Sequence, residues 1–276
     1  MWVRAGDGEA SGDDCGKPCK ALRCVHHEQP VFYGTPHTCR IVFHSCNHPT
    51  CPVCVHRWAH REAAAATPRL LAVSGLYQGV KGVGGDASRY IGRLKHAVFS
   101  PPRVLWAHLS PETATAADYR TLRRLAIAAA KVAGILGGTV VFHPWRGGHR
   151  GEPWYWSPHF HILGYGRLRN AREYYQQTGW VYRNYGYRKS VAQTVSYELD
   201  HCGVCEGVHT LVWFGILSYN KMRTVYSWSV QTVQRCEACG AKVYAYPLLS
   251  DGTPDYSDGV PNVVWERRII YDLKSS

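Results

Sequence analysis

Nowhere does the sequence hold an apolar run long enough to span a bilayer, and no basic amphipathic helix stands out that would lie on one. No membrane role is therefore expected. The opening stretch, MWVRAGDGEASGDDCGK, lacks the apolar segment of a secretory leader, which predicts an intracellular protein. A GxxxxGK[ST] phosphate loop is missing too, so the chain is not expected to unwind a duplex itself. There is no internal repeat, and no low-complexity tract beyond the N-terminus. Acidic residues are few: 20 Asp and Glu stand against 32 Lys and Arg, a formal charge of +12. Such a surplus favours a polyanionic partner, nucleic acid first. Cysteine is absent between Cys54 and Cys202, although the chain has 11. Disulfides are unusual in a reducing cytosol and an odd count leaves one thiol over, so metal binding is the economical reading of the two clusters.

What is present describes a folded chain of 276 residues, 45% hydrophobic and 12% aromatic, long enough for one sizeable core and a small appended module. Residues 1–14, acidic and rich in Gly and Ser, are expected to form a mobile tail. Residues 15–78 read as a Cys/His zinc-binding module running into an alanine-rich helix after Cys54. GVKGVGGDAS, at 79–88, reads as a flexible joint. A core domain is expected over 90–222, with a zinc-ribbon insertion and C-terminal extension over 202–276 packed on it.

Within the core, HAVFS (96–100) is an apolar strand stopped by Pro101 and Pro102. A helix opens at Ser110 with Pro111 in its first turn and ends at Gly137 and Gly138. TVVFHPW and SPHFHILGYG follow as strands, with GWVYRNYGYR as an additional one. A second helix runs from an N-cap at Ser190 to Gly203, and HTLVWFGILSYNK supplies a last strand. Strand, helix, strand, strand, helix, strand is the split ferredoxin-like order. The expected fold class is α+β: an antiparallel sheet with both helices on one face, the other face open to a ligand.

In a strand, residues two apart share a face, so SPHFHILGYG offers His159 and His161 to one ion while Phe160 and Ile162 point away. A solvated sheet face is the competing reading of an isolated HxH. His143, on the preceding strand, is the best third ligand if the strands are neighbours, with Glu152 in the connecting loop as the fallback. The CxxC pairs Cys202/Cys205 and Cys236/Cys239 have the zinc-ribbon pattern and are expected to share a structural Zn²⁺. In the N-terminal cluster, Cys51 and Cys54 form a knuckle with Cys39 and Cys46 as nearest partners; Cys15, Cys19, Cys24 and His26 offer a second set. Tyr197 lies midway along the second helix, with Asp200 and His201 one turn further on.

These residues resemble the HUH endonucleases, His-hydrophobic-His proteins that initiate rolling-circle replication or mobilise DNA. The likeness covers roughly residues 96–220, with PHFHILG its specific element and Tyr197 in the expected place on the following helix. The zinc knuckles with FHPWR, WYWSPHFHILG, SYELDHCGV and WFGILSYNK look most like replication initiators (Rep proteins) of archaeal plasmids and viruses. The resemblance implies a ferredoxin/RRM-like palm, a catalytic Mg²⁺ or Mn²⁺ on the histidines beside the structural Zn²⁺, and Tyr197 as the nucleophile. It further implies nicking of single-stranded DNA at an origin through a 5′-phosphotyrosine with release of a 3′-hydroxyl, in the cytoplasm of a prokaryotic, archaeal host. A host helicase and polymerase are implied as partners. The family's helix commonly reads Tyr-x-x-Lys, whereas here Tyr197 is followed by Glu198, Leu199 and Asp200. Lys189 or Lys221 would then supply the positive charge, Asp200 would touch the metal or its water, and Tyr219, in SYNK, is the rival nucleophile.

Arg146, Arg183, Arg188, Lys189 and Lys221 are the basic residues placed to meet DNA, and the tyrosines and tryptophans among them suit stacking of unpaired bases. Two other readings stand beside the initiator: an HUH transposase or relaxase sharing its chemistry, and a non-catalytic zinc-ribbon DNA-binding regulator. The last predicts binding without cleavage.

Overall fold

The structure, a computed structural model, describes residues 1–10, 12–26, 40–74, 92–147, 153–236, 239–257 and 259–273. Its elements in chain order are β1 (Val3–Arg4), β2 (Pro18–Cys24), β3 (Arg40–Phe43), α1 (Val55–Leu71), β4 (Lys95–Ser100), α2 (Ala116–Val132), β5 (Ile135–Arg146) and β6 (Tyr155–Gly166). Then come α3 (Ala171–Thr178), β7 (Val181–Tyr187), α4 (Val191–Leu199), β8 (Gly203–Val204), β9 (Leu211–Gly215), β10 (Met222–Val233), β11 (Val243–Tyr246), β12 (Val260–Pro261) and β13 (Val263–Leu273). The described residues are α+β, with antiparallel sheets and four α-helices among them. Among the described residues no helix is long and apolar enough to cross a membrane.

Two compact units divide the chain: residues 1–9, 47–226 and 270–276 form the first, and 10–46 with 227–269 the second. The stretch expected as one module over 15–78 is thus split, its cysteine-rich start in the second unit and α1 in the first. Within the expected joint, 79–88 lies outside the described residues.

The first unit is built on a five-stranded sheet in the order β7-β4-β6-β5-β9, antiparallel at every step. Alternation along the strands sorts the side chains onto two faces. Phe99, Val140, Phe142, Phe160 and Ile162 face α2 and Tyr174 of α3. Val141, Leu163 and Tyr165 face α1 and α4, whose Val191, Val195 and Leu199 recur at helical spacing and bury against them. This corrects the expectation of both helices on one face. α4 packs on the histidine face because its apolar stripe is matched by the alanine-rich face of α1 (Ala59, Ala63, Ala66), which lets the two helices lie side by side over the sheet.

Three further boundaries differ from the sequence reading. α2 starts at Ala116, where Thr115 and Asp118 make a reciprocal capping box; Ser110 sits in the turn before it. Gly137 and Gly138 lie inside β5 rather than ending the helix, because a Cβ on Gly138 would meet the Leu163 carbonyl oxygen at 2.0 Å. The last expected strand shrinks to β9 at the sheet edge beside β5.

The tail expected over 1–14 is also in part ordered structure. β1 pairs with β8, and Trp2, 3% exposed, packs its indole 5.0 Å from Tyr119 and 5.1 Å from Phe142. Trp2→Ala should cost about 3–5 kcal/mol of stability, read as a fall in thermal midpoint; an unchanged midpoint would show the tail to be dispensable.

The second unit holds a four-stranded sheet in the order β12-β11-β2-β3, with a described core of only Leu22, Cys24, Cys236, Val243 and Ala245. β11 lies against β2 with Val243 opposite Cys24.

Candidate functional site

β6 runs through the middle of the first unit's sheet, between β4 and β5, so its outward histidines have neighbours on both sides. His159 and His161 alternate with Phe160 and Ile162 as the strand period requires, and His143 on β5 lies directly opposite His159. One ring nitrogen from each of His143, His159 and His161 falls within 4.8 Å of the others. His143 stacks on His161 with ring centroids 4.0 Å apart. The site residues expected from sequence are brought together here, and a solvated sheet face is not what surrounds them: His143 is fully buried, and His159 and His161 nearly so.

Hydrogen bonds orient the rings. His159 donates from Nδ1 to the Ser157 carbonyl at 2.8 Å, leaving its Nε2 lone pair for the centre of the cluster. His161 Nδ1 lies 3.0 Å from Nε2 of His96, which β4 carries alongside, so the other nitrogen of His161 faces His143 and His159. Among the described residues no well-aligned hydrogen bond reaches either nitrogen of buried His143, the Glu198 backbone making only a weaker approach. Orphaned buried nitrogens are costly unless something accepts their lone pairs. Three imidazoles with ring nitrogens this close form a donor set that suits a divalent cation, Zn²⁺ more readily than Mg²⁺, which prefers oxygen.

Behind His161 stands a second set. Arg188 donates from Nη2 to His96 Nδ1 at 2.7 Å, and the carboxylate of Glu198, on α4, is 3.3 Å from His96 Nε2. Glu198 is fully buried. His96, His161 and Glu198 also bring ligand atoms within 4.8 Å of one another. Neither His96 nor Glu198 was foreseen from sequence. The signal for Glu198 was present: it follows Val191 by seven, a buried position of the α4 stripe, where a carboxylate needs a partner.

A cleft of about 660 Å³ opens beside His96 and His161, lined also by Tyr185, Arg188, Lys189 and Tyr197. Tyr197 is 59% exposed, and its ring meets that of His201 edge-on at 4.8 Å. His201 in turn meets His143 at 4.6 Å. Compared with protein-family models, curated proteins and solved structures, the chain has no match.

The other expected residues take varied places. Glu152 and Cys39 lie outside the described residues. Asp200 Oδ1 sits 3.1 Å from His56 Nδ1 of α1 and is not in the histidine groups. Tyr219 lies beyond β9 with the Arg69 guanidinium 4.2 Å over its ring, and does not line the cleft. Arg146 is held by Ser100 and Ser157 at the histidine end of β5, Arg183 stacks over Tyr185, and Lys221 is exposed in the turn that follows β9.

The cysteine pairings need correction. Cys236 and Cys239 close on Cys24, all three sulfurs within 4.8 Å, and not on Cys202 and Cys205. Cys202 is instead buried at the end of α4 in the core of the first unit. The reason lies in the strand register, because the β2–β11 pairing fixes Cys24 next to the chain entering β11. Cys51 and Cys54 do form a knuckle, the amides of Cys54 and Val55 both donating to the Cys51 carbonyl as α1 begins. Cys15 and Cys46 lie with sulfurs 3.7 Å apart in the second unit. Cys19 and His26 join no described ligand group.

Burial leaves the histidines uncharged. It pushes His159 down to about 3, aided by Arg146, and His96 down to about 4, aided by Arg188. Burial, then the neighbouring imidazoles, holds His143 and His161 well below the usual range. Burial holds Glu198 well above the usual carboxylate range, against the pull of Arg188. Below about pH 6.5 the unfolded chain takes up histidine protons that the fold refuses, so stability falls as pH falls, by ~1.4 kcal/mol per unit for each histidine. Glu198 acts in the opposite sense, one proton against four. Thermal midpoints of the metal-free chain should therefore drop steadily from about pH 7 to about pH 5; a flat profile would show that the cluster is not buried.

Proposed function

We propose that the chain nicks and rejoins single-stranded DNA as a replication initiator of the HUH endonuclease kind. The observation that carries this reading is the clustering of the HxH pair with His143, His161 of that cluster lining one cleft together with the surface tyrosine Tyr197, Arg188 and Lys189. The strand order β7-β4-β6-β5, with α2 and α3 on one face, supports the split ferredoxin-like palm of the resemblance, its fourth strand being β7.

His143, His159 and His161 would hold the divalent ion, Mg²⁺ or Mn²⁺ in the resemblance, although their nitrogens favour Mn²⁺ over Mg²⁺. Bound there, the ion would supply positive charge to offset that of a phosphate. Because Arg188 donates to His96 Nδ1, the His96 Nε2–H is the donor toward His161 Nδ1, a contact that fixes the His161 ring, with Glu198 beside His96. Arg188 and Lys189 stand in for the lysine that the helix lacks. Tyr185 and Tyr187, beside them in the cleft, offer rings on which unpaired bases stack. The Tyr197 hydroxyl attacks phosphorus, its proton passing towards His201. The bond to the 3′-oxygen breaks, that oxygen leaves as a 3′-hydroxyl, and the 5′-phosphate stays on the tyrosine. A later 3′-hydroxyl reverses the step. Unwinding and copying would fall to a host helicase and polymerase.

The test mixes purified chain, Mn²⁺ and labelled single-stranded DNA tiled across its replicon, and looks for a denaturant-resistant adduct. An adduct that forms with Mn²⁺, and is lost with chelator and in His161→Ala, supports the reading. Tight binding with no adduct on any strand would sink it in favour of a non-catalytic DNA-binding regulator, whereas an adduct only on strands outside the origin would point to a transposase or relaxase.

A further inference from the structure

We propose that Cys24, Cys236 and Cys239 are the ligands of a structural zinc ion in the second unit. Their sulfurs lie within 4.8 Å of one another, and Cys24 and Cys239 are 3.4 Å apart. Tetrahedral Zn²⁺ with Zn–S bonds of about 2.3 Å separates its thiolates by about 3.8 Å, so an ion fits among the three with small adjustments.

The local backbone is shaped for this. Cys236 exchanges hydrogen bonds with the far side of its turn, its amide donating to the Ala241 carbonyl and its carbonyl accepting from Gly240, both at 2.8 Å. Gly240 completes the reversal at φ +72°, a backbone region that a side chain would strain. A CxxCG sequence folded in this way is the form of a zinc knuckle. On the other strand the His26 amide hydrogen-bonds the Cys24 sulfur.

Energetics supply the second argument. The unit is assembled from two segments far apart in sequence, and its described core is five residues, two of them cysteines. So small an apolar core rarely balances the entropy of ordering two such segments. An ion joining β2 to the turn before β11 closes that gap, because its binding free energy is spent only on the folded arrangement. Structural zinc takes four ligands, and since Cys239 is exposed the fourth donor, a side chain or water, is reached from that side. This inference is independent of DNA cleavage.

Zinc per chain is measured by mass spectrometry on full-length protein, wild type beside Cys24→Ser, Cys239→Ser and Cys205→Ser. One ion fewer per chain in the first two, with Cys205→Ser unchanged, is the expected result. Loss of the same ion in Cys205→Ser, or its retention in Cys24→Ser, would overturn the ligand set. Since Cys24 is buried and its substitution also disturbs packing, Cys239→His gives a second measurement on a surface residue. That variant should keep the ion, and when loaded with Co²⁺ its near-ultraviolet thiolate charge-transfer band should lose the intensity of one cobalt–thiolate bond; an unaltered band would mean that Cys239 is not a ligand.

Discussion

Tyr197→Phe is expected to bind single-stranded DNA as the wild-type chain does while its covalent adduct falls by roughly a thousandfold or more, the scale on which removal of a nucleophile acts. The substitution deletes one hydroxyl from a side chain that is 59% exposed, so the fold has little to lose. Phenylalanine keeps the ring that meets His201, and with it the local packing of α4. Tyr219→Phe should leave the adduct intact, since that tyrosine stacks on Arg69 and does not line the cleft. If the two variants exchanged behaviours, the chemistry would stand and the nucleophile would be misassigned. Binding assays run alongside separate loss of chemistry from loss of affinity.

His143→Leu should move two quantities in opposite directions. Metal affinity falls by roughly a hundredfold or more, because changes even to groups behind a ligand cost 10- to 100-fold and this one removes the ligand itself. The metal-free chain should gain stability, because the buried His143 ring has at most a poorly aligned hydrogen bond to the Glu198 backbone and an apolar side chain of similar size carries no such penalty, worth about 1–3 kcal/mol. The stabilisation expected of the wild type in saturating Mn²⁺ or Zn²⁺, about 4 kcal/mol at a thousand times the dissociation constant, should largely disappear. Calorimetry with and without metal reads both. A variant less stable than wild type when metal-free, with undiminished metal response, would make His143 a packing residue and leave the centre to other ligands.

How much of this was legible beforehand follows from which interactions are local. The shared face of His159 and His161 needs only the two-residue period of a strand, and His143 needs only that β5 and β6 be neighbours in sequence. His96 sits inside an apolar run, and its relation to His161 depends on β4 lying on the other side of β6, a pairing between segments 65 residues apart in the chain. α3 was missed because it buries little beyond Tyr174, although Asn170 caps its start and Gly179, at φ +69°, its end. With α3 unseen, β7 looked like an extra strand and α4 like the helix that completes the order. Cysteine spacing announces knuckles but not their partners; those depend on the register of β2 against β11. Trp2 lies in a polar stretch, and only the fold shows the aromatic pocket it fills.

α4 carries Glu198 inward and Tyr197 outward on adjacent residues, anchored by Val191, Val195 and Leu199 on the sheet. It is therefore a lever. Nine residues span about 13 Å, so a tilt of about 10° at one end displaces the other by about 2 Å. Alignment of the tyrosine hydroxyl with a phosphate held over the histidines would then depend on methyl groups buried beneath the helix. Directed evolution of this chain for rate should find its gains among those hidden aliphatic positions as often as in the cleft, and an inserted residue in α4, which turns the helix by about 100°, would silence it while removing none of the named side chains.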